Sequence, residues 1–183
     1  MPFGTWWRGD PLPALPPLSA FSAHITTDTA LIARVTHLTR QAINRRIREG
    51  NQPYIAFVEQ TPVAYGWIAT REGGITELQF SFSVSKRNAY LWDFLTLPQW
   101  RGQGIYPRLL QTIVCQEQLI DRFWIGYVPG NTASARGIHK AGFRVVSDLV
   151  ISGNRIAGLA LLDDSERARI SAKFFQLPIV PES

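Results

Sequence analysis

Residues 95–110 have the sequence LTLPQWRGQGIYPRLL, which decides the fold of this chain. An apolar stretch runs into a loop with two glycines, and the loop leads directly into a segment of helical spacing. Gly102 and Gly104 allow the backbone to approach a ligand closely, and Pro107 fits the first turn of a helix. The amides at the start of such a helix carry a partial positive charge. The stretch therefore predicts a strand, an anion-binding loop and a helix, with phosphate as the natural ligand.

Two common phosphate-binding motifs do not fit this loop. A dinucleotide-binding fingerprint requires a third glycine at position 107, where this chain has proline. A P-loop requires Gly-Lys-Ser/Thr after four intervening residues, and that pattern is absent from the sequence. Because a two-glycine loop before a helix is often no more than a turn, the loop alone does not decide the ligand.

The loop is similar, through Gln99, Gly102 and Gly104, to the Gln/Arg-x-x-Gly-x-Gly/Ala signature of the GCN5-related N-acetyltransferase (GNAT) family. A second stretch, NTASARGIHKAGF at residues 131–143, resembles the Asn-x-x-Ala/Ser…Gly-Phe block of the same family. One helix and one strand are expected between the two motifs, and the resemblance spans about residues 25–163. The chain is therefore identified as a member of the GNAT family.

The resemblance implies a GNAT-like acyl-CoA N-acyltransferase fold, with acetyl-CoA as acyl donor and no metal. In that family the loop amides bind the pyrophosphate and the asparagine contacts the cofactor. Many members also place a tyrosine seven residues after the asparagine, where it can protonate the leaving thiolate, but this chain has Ile138 there. Tyr106, Tyr127 or water remain as proton donors. The cofactor-binding residues that the resemblance implies are Leu95, Thr96, Leu97, Arg101, Gly102, Gln103, Gly104, Ile105, Tyr106, Asn131 and Ser134.

Hydrophobic periodicity predicts the elements of the remaining chain. A helix is expected from Thr27 or Asp28 to Gly50, where apolar residues recur at a spacing of three to four. Strands are expected at 54–59, 63–71, 75–84, 89–97, 122–128, 143–152 and 155–163, and further helices at 103–121, 132–141 and 164–176. This order predicts an α+β fold with a mixed, mostly antiparallel central sheet flanked by helices.

Residues 1–22 are predicted to form an N-terminal arm. Five of the chain's twelve prolines lie there, and proline fixes φ and removes a donor, so we expect an irregular conformation rather than a helix or a central strand. Phe3, Trp6 and Trp7 make the arm too apolar for a solvated linker. The arm is therefore expected to pack on a single domain, residues 23–183, or on a partner chain.

Two carboxylates are candidates for the catalytic base. An acceptor amine is protonated at pH 7, so a base must lie near it, usually acting through water. Asp93 lies within an apolar strand, where a carboxylate needs a partner, and Glu77 lies on the polar face of the predicted strand 75–84. The alternatives are that Asp93 is a structural acceptor paired with Arg87 or Lys86, and that Glu77 only faces solvent. A backbone N–H of residues 91–97 is expected to stabilise the oxyanion.

Composition restricts the class of protein. No apolar run approaches the ~18 residues of a transmembrane helix and no signal-peptide pattern is present, so a cytoplasmic protein is predicted. The single cysteine, Cys115, excludes an intramolecular disulfide, and three dispersed histidines argue against a zinc site. The net charge of +5 (19 − 14) and the arginines of 40–48 do not predict nucleic-acid binding, because no aromatic residues lie among those arginines. Arg40, Arg45, Arg46 and Arg48 lie on the polar face of the predicted helix and are expected to face solvent.

The acceptor is expected to be a small-molecule amine. Trp67, Tyr90, Trp92, Trp100 and Trp124 indicate an aromatic-lined cavity, although the same rings equally fit a core. The alternatives are acetylation of a protein N-terminus or lysine, and a CoA-binding domain without catalysis. A homodimer stays open.

Overall fold

The computed structural model describes residues 1–153 and 155–181, apart from the side chain of Glu77. Residue 154 and the last two residues of the predicted domain, 182 and 183, lie outside that description. The described strands are β1 (Pro2–Trp7), β2 (Phe21–Ile25), β3 (Asn51–Val58), β4 (Thr61–Ala69), β5 (Glu72–Ile75), β6 (Phe80–Ser83), β7 (Asn88–Thr96), β8 (Arg122–Gly126), β9 (Arg144–Ser152) and β10 (Arg155–Leu161). The described helices are α1 (Thr29–Thr36), α2 (Arg40–Arg48), α3 (Ile105–Gln116), α4 (Thr132–Lys140) and α5 (Glu166–Phe175).

Eight of these strands form one sheet, in the order β10-β9-β1-β8-β7-β4-β3-β2. Neighbouring strands are antiparallel except β7 and β8, which are parallel. α3 and α4 pack on one face of the sheet, while α1, α2 and α5 pack on the other. The prediction of an α+β fold with a mixed, mostly antiparallel sheet is confirmed. In the part of the chain that the structure describes, no helix is both long and apolar enough to cross a membrane.

Both faces of β8 are buried, which explains its nearly continuous apolar sequence. Phe123 and Ile125 face the cluster beneath α3, and Trp124 points to the opposite side against α5. The indole of Trp124 is fully buried and donates a hydrogen bond to Oδ1 of Asn88 over 3.0 Å. This hydrogen bond satisfies the polar atom of a ring whose area otherwise stabilises the core.

The expected irregular conformation of the N-terminal arm is wrong for residues 2–7, which form the central strand β1, and for residues 21 and 22, which begin the edge strand β2. β1 lies between β8 and β9 and pairs with both. Pro2 is the first residue of the strand, a position where proline is tolerated, and Phe3, Thr5, Trp6 and Trp7 have side chains that favour strands. No helix or strand occupies residues 8–20, where the other four prolines of the arm lie.

The helix predicted from Thr27 or Asp28 to Gly50 is instead two helices, α1 and α2. His37 has a left-handed conformation with φ of +59°, which ends α1. The hydroxyl of Thr39 then accepts a hydrogen bond from the amide of Ala42 and caps α2. The break changes the direction in which the arginines of α2 point.

The strand predicted at 75–84 is wrong as well, because residues 72–83 form a hairpin of β5 and β6. A single 3₁₀ turn, Thr76–Leu78, and the left-handed residue Gln79 reverse the chain. The reversal brings Ile75 and Phe82 into one cluster with α5, which a single straight strand would prevent.

α3 ends at Gln116, before the predicted residue 121, and the guanidinium of Arg8 binds carbonyls of its last turn and of the residues that follow. Its Nη1 and Nη2 donate to the carbonyl oxygens of Val114, Glu117 and Ile120, each over 2.7 Å. The last carbonyls of a helix lack partners within the helix, and Arg8 supplies a charged donor there, although the carbonyl of Glu117 also accepts from the amide of Ile120. A residue of the N-terminal segment therefore fixes the end of the helix that follows the glycine loop.

Candidate active site

A cleft of about 890 Å³ opens where β7 and β8 separate. The two strands pair only from Asn88 to Leu91 on β7, opposite Arg122 to Ile125 on β8. β7 continues through Thr96, so its residues 92–96 have no strand partner on the β8 side. The N-terminal ends of α3 and α4 lie along the same opening. Unpaired backbone and two helix N-termini therefore face one cavity.

The glycine loop has the geometry of an anion-binding loop. Gly102 and Gly104 have φ of +79° and +70°, a region that other residues rarely adopt. Gly104 precedes the first turn of α3 without any side-chain cap, which leaves the first amides of the helix available to a ligand. No atom lies within 4 Å of the position that a Cβ on Gly102 would occupy, so the backbone is open to the cleft. Arg101 donates from Nε to the carbonyl oxygen of Thr96 over 3.2 Å, which anchors the loop to β7.

α4 contributes a second set of groups to the cleft. Oδ1 of Asn131 accepts a hydrogen bond from the amide of Ser134 over 3.0 Å and caps this helix. Ser134, Gly137 and Lys140 follow on the face that lines the cleft, at the spacing of one helical turn.

The ring of Tyr106 crosses from α3 to α4. It packs over Gly137, where a Cβ would lie only 2.4 Å from Cδ1 of the tyrosine. Burial raises the pKa of Tyr106 to about 12, although the hydrogen bond with Ser134 lowers it in part. The phenol therefore keeps its proton at neutral pH.

The structure brings most of the predicted cofactor-binding residues together. The cleft is lined by Leu95, Thr96, Arg101, Gly102, Gly104, Ile105, Tyr106, Asn131 and Ser134. Leu97 and Gln103 do not line it. The amide of Leu97 instead donates to the carbonyl oxygen of Val63 and continues the pairing of β7 with β4.

Asp93 lies at a bulge of β7, in a left-handed conformation with φ of +50°. Such a conformation is uncommon for a residue other than glycine, and here it turns the carboxylate into the cleft. Oδ2 accepts a hydrogen bond from Nη1 of Arg46 over 2.5 Å, and the hydroxyl of Tyr65 lies 3.4 Å from Oδ1. Burial and the negative charge of Asp93 raise the pKa of Tyr65 to about 12.

The need of Asp93 for a partner was predictable, but the predicted partners were wrong. Arg87 pairs with Asp121 instead, through two hydrogen bonds of 2.5 and 2.6 Å. The actual partner, Arg46, was assigned to a solvated face because α1 and α2 were expected to be one helix. The other carboxylate candidate, Glu77, has its side chain outside the described residues, and its neighbour Thr76 lines the cleft.

Sequence interpretation missed two cations of the cleft, Arg46 and Lys140. The threonine that caps α2 was a signal that a second helix starts there. With two helices, Arg46 would not have been placed on the solvent-facing side of one long helix. Lys140 lies at the end of α4 and had no distinguishing signal. Ile138, at the position where many GNAT members carry tyrosine, is fully buried and packs near Gly4 of β1 rather than lining the cleft.

Comparisons with known proteins agree with this geometry. The model of the Acetyltransferase (GNAT) family matches residues 22–143, more than half of the chain. No curated protein is recognisably similar to the chain in sequence.

Solved structures resemble the chain at low identity. A GCN5-related N-acetyltransferase from Kribbella flavida is 12% identical with a TM-score of 0.50, covering 79% of this chain and 53% of its own. A GNAT-family acetyltransferase from Novosphingobium aromaticivorans is 17% identical with a TM-score of 0.52, covering 79% and 59%. The chain thus spans little more than half the length of these two proteins. The aminoglycoside acetyltransferase AAC(6')-Ib, in complex with coenzyme A, is 16% identical with a TM-score of 0.54, covering 74% and 90%. These similarities show a shared fold.

Proposed function

The chain belongs to the Acetyltransferase (GNAT) family, and we propose that it transfers the acetyl group of acetyl-CoA to a primary amine of a small molecule. The observation that carries this proposal is the position of the glycine loop. This loop faces the same cleft as the unpaired end of β7. A loop suited to phosphate and a strand with unpaired backbone groups therefore share one cavity.

The residues of the cleft fit the cofactor. The open backbone at Gly102 and the uncapped start of α3 suit a pyrophosphate, and the positive charges of Arg101 and Lys140 suit its negative charge. Asn131 lines the cleft, and its side-chain nitrogen is a further donor because its Oδ1 is used to cap α4. When bound, acetyl-CoA supplies the thioester carbonyl that the acceptor amine attacks.

The backbone of β7 is suited to stabilise the charge that develops during transfer. Beyond Leu91 this strand lacks a partner on the β8 side, so its cleft-facing N–H groups are available to the carbonyl oxygen. Fixed donors aimed at a developing oxyanion require no reorganisation during the reaction. The cleft also holds both reactants side by side, which contributes to the rate through proximity.

Asp93 is our candidate for the group that accepts the proton of the acceptor ammonium. Arg46 binds Oδ2, whereas Oδ1 has only the long hydrogen bond from the hydroxyl of Tyr65. We therefore assign Oδ1 to accept the proton of the amine, directly or through water.

The departing thiolate can be protonated by water or by a phenol of the cleft, Tyr106 or Tyr127. Burial and the charge of Asp148 raise the pKa of Tyr127, so both phenols keep their protons at neutral pH.

Calorimetric titration with acetyl-CoA, CoA and NADH tests the cofactor. Binding of the CoA compounds alone is expected. The variant Gly102→Glu should lose it, because its carboxylate would point to the pyrophosphate. Gly153→Glu is the matched control, since Gly153 also has a positive φ and open space but lies in the β9–β10 turn. Full binding by Gly102→Glu would contradict the loop assignment.

Turnover is tested separately by thiol release with a panel of small amines and with peptides that present an N-terminus or a lysine. Acetylation of the small amines supports the proposal. Exclusive acetylation of the peptides would assign the chain a protein substrate, and CoA binding without any turnover would make it a binding domain.

A further inference from the structure

The half of the cleft away from the glycine loop contains the ion pair of Asp93 and Arg46. Arg101 and Lys140 lie with the loop and α4, where the phosphates are expected. Among the described side chains that line the cleft, the only carboxylate is that of Asp93, and Arg46 lines the cleft beside it. Met1 also lines the cleft, and its amino group is paired with Asp148 at 2.6 Å. The half that remains for the acceptor therefore has its described charges matched in pairs.

Arg46 is held in place by more than its ion pair. The central carbon of its guanidinium lies 4.4 Å from the ring centre of Trp92 and 4.9 Å from that of Trp67. Asn51 donates from Nδ2 to the carbonyl oxygen of Arg46 over 3.0 Å and accepts from Nε1 of Trp92 over 3.0 Å. Stacking on two indoles restricts the side chain, of which only 18% is exposed, and the amide of Asn51 ties the backbone of Arg46 to one of these indoles. The cation is thus a fixed part of the site.

We propose that Arg46 is a specificity-determining residue that selects acceptors whose only positive charge is the reacting amine. This inference rests on the proposed acetyltransferase function. Asp93 has two oxygens, of which Arg46 occupies Oδ2, while Oδ1 has only the long 3.4 Å hydrogen bond from Tyr65 and can accept a single ammonium. A second ammonium on the acceptor would lie near the guanidinium and find no unmatched carboxylate among the described groups. Repulsion between a fixed charge of a site and a like charge of a ligand lowers the affinity for that ligand, and such repulsion contributes to specificity alongside favourable contacts.

The test compares butylamine with 1,4-diaminobutane, which differ in one ammonium group. The wild-type protein should have the higher kcat/KM with butylamine. In Arg46→Gln the charge of Asp93 is unmatched, so the diamine-to-monoamine ratio of kcat/KM should rise roughly tenfold, the scale of one partly screened charge contact. The increase should shrink as salt is added.

Two control variants separate this effect from a general change in charge. Arg45→Gln removes the same charge from an exposed position on α2 and should leave the ratio at the wild-type value. Arg46→Lys keeps a cation next to Asp93 and should also retain the preference for butylamine. An unchanged ratio in Arg46→Gln, or an equal rise in Arg45→Gln, would overturn the proposal.

Binding measurements distinguish failure of this inference from failure of the proposed function. If neither amine is acetylated, the proposed function fails for these acceptors, and the inference is judged by equilibrium binding of the two amines to the CoA complex. Tryptophan fluorescence reports such binding because Trp92 touches the guanidinium. Equal affinities for the two amines in wild type and Arg46→Gln would then refute it. Thermal unfolding checks each variant, and Arg46→Met replaces Arg46→Gln if the latter does not fold.

Discussion

Replacing Gly137 with alanine adds one methyl group to the face of α4 that packs against Tyr106. The new Cβ would lie 2.4 Å from Cδ1 and 2.9 Å from Cε1 of the ring. Nonbonded carbons rest at about 3.5–4.0 Å, so the ring or the helix must move by about 1 Å or more. The ring of Phe94, whose centre lies 5.5 Å from that of Tyr106, limits movement on the strand side. We therefore expect Tyr106 to shift into the cleft.

Two opposing effects set the change in the free energy of unfolding. Alanine is better than glycine within a helix by about 1 kcal/mol. Overpacking of a well-filled contact destabilises by about 1–3 kcal/mol. The net change for Gly137→Ala is therefore between none and a loss of about 2 kcal/mol. Since this range includes zero, the contact is better measured by its coupling to Tyr106.

The double variant Gly137→Ala/Tyr106→Ala removes the clash and keeps the helical preference of alanine. Urea unfolding of the wild type, both single variants and the double variant should give a favourable coupling of about 1–3 kcal/mol. Ala135→Gly calibrates the alanine–glycine difference on the same helix. Calorimetry should show weaker acetyl-CoA binding by Gly137→Ala, because the displaced ring narrows the cleft. Additive single effects, within about 0.5 kcal/mol, would refute the predicted clash, and wild-type affinity for acetyl-CoA would refute displacement into the cleft.

Three further predictions concern the stability of the fold. Burial alone would raise the pKa of Asp10, but hydrogen bonds and the charge of Arg167 lower this pKa overall. The ionised carboxylate therefore stabilises the native state above about pH 4, and this stability is lost on further acidification. In urea unfolding between pH 6 and pH 3, the free energy of unfolding of Asp10→Asn should change less with pH than that of the wild type. Arg8→Ala leaves three carbonyls at the end of α3 without their charged donor and should lower the free energy of unfolding by about 1–3 kcal/mol, as measured in urea; an unchanged midpoint would contradict this role. Ile138→Tyr should lower the melting temperature through overpacking without raising turnover, because position 138 faces the core; increased thiol release would contradict that placement.

The glycine loop and the N-terminal ends of α3 and α4 could be predicted because their sequence signals are local. Gly102 and Gly104 follow one another within three residues, and the helix that they precede has an uninterrupted apolar face. Asn131 is a favoured helix cap, and the structure uses it as one. Turn and cap preferences depend on a few neighbouring residues, so the sequence carries them directly.

The acceptor half was less predictable because it depends on contacts between distant segments. That Asp93 needs a partner follows from its apolar strand. The identity of that partner depends on the direction of α2, which changes with the break at His37. Arg46 and Asp93 are 47 residues apart, and a helix pattern that misses one break assigns the arginine to the wrong surface.

The central position of β1 illustrates why the shape of the cleft itself could not be derived locally. Residues 2–7 lie outside the stretch matched by the family model, yet Phe3 pairs with Gly126 at the end of β8 where the cleft begins. β8 stays paired with β1 at Gly126, one residue beyond its last pair with β7. The end of β8 therefore remains hydrogen-bonded in the sheet where β7 and β8 separate. A strand joined at the opposite end of the sequence thus supports the opening in which the reaction is proposed to occur. Its short apolar sequence predicts burial but carries no information about which two strands it separates.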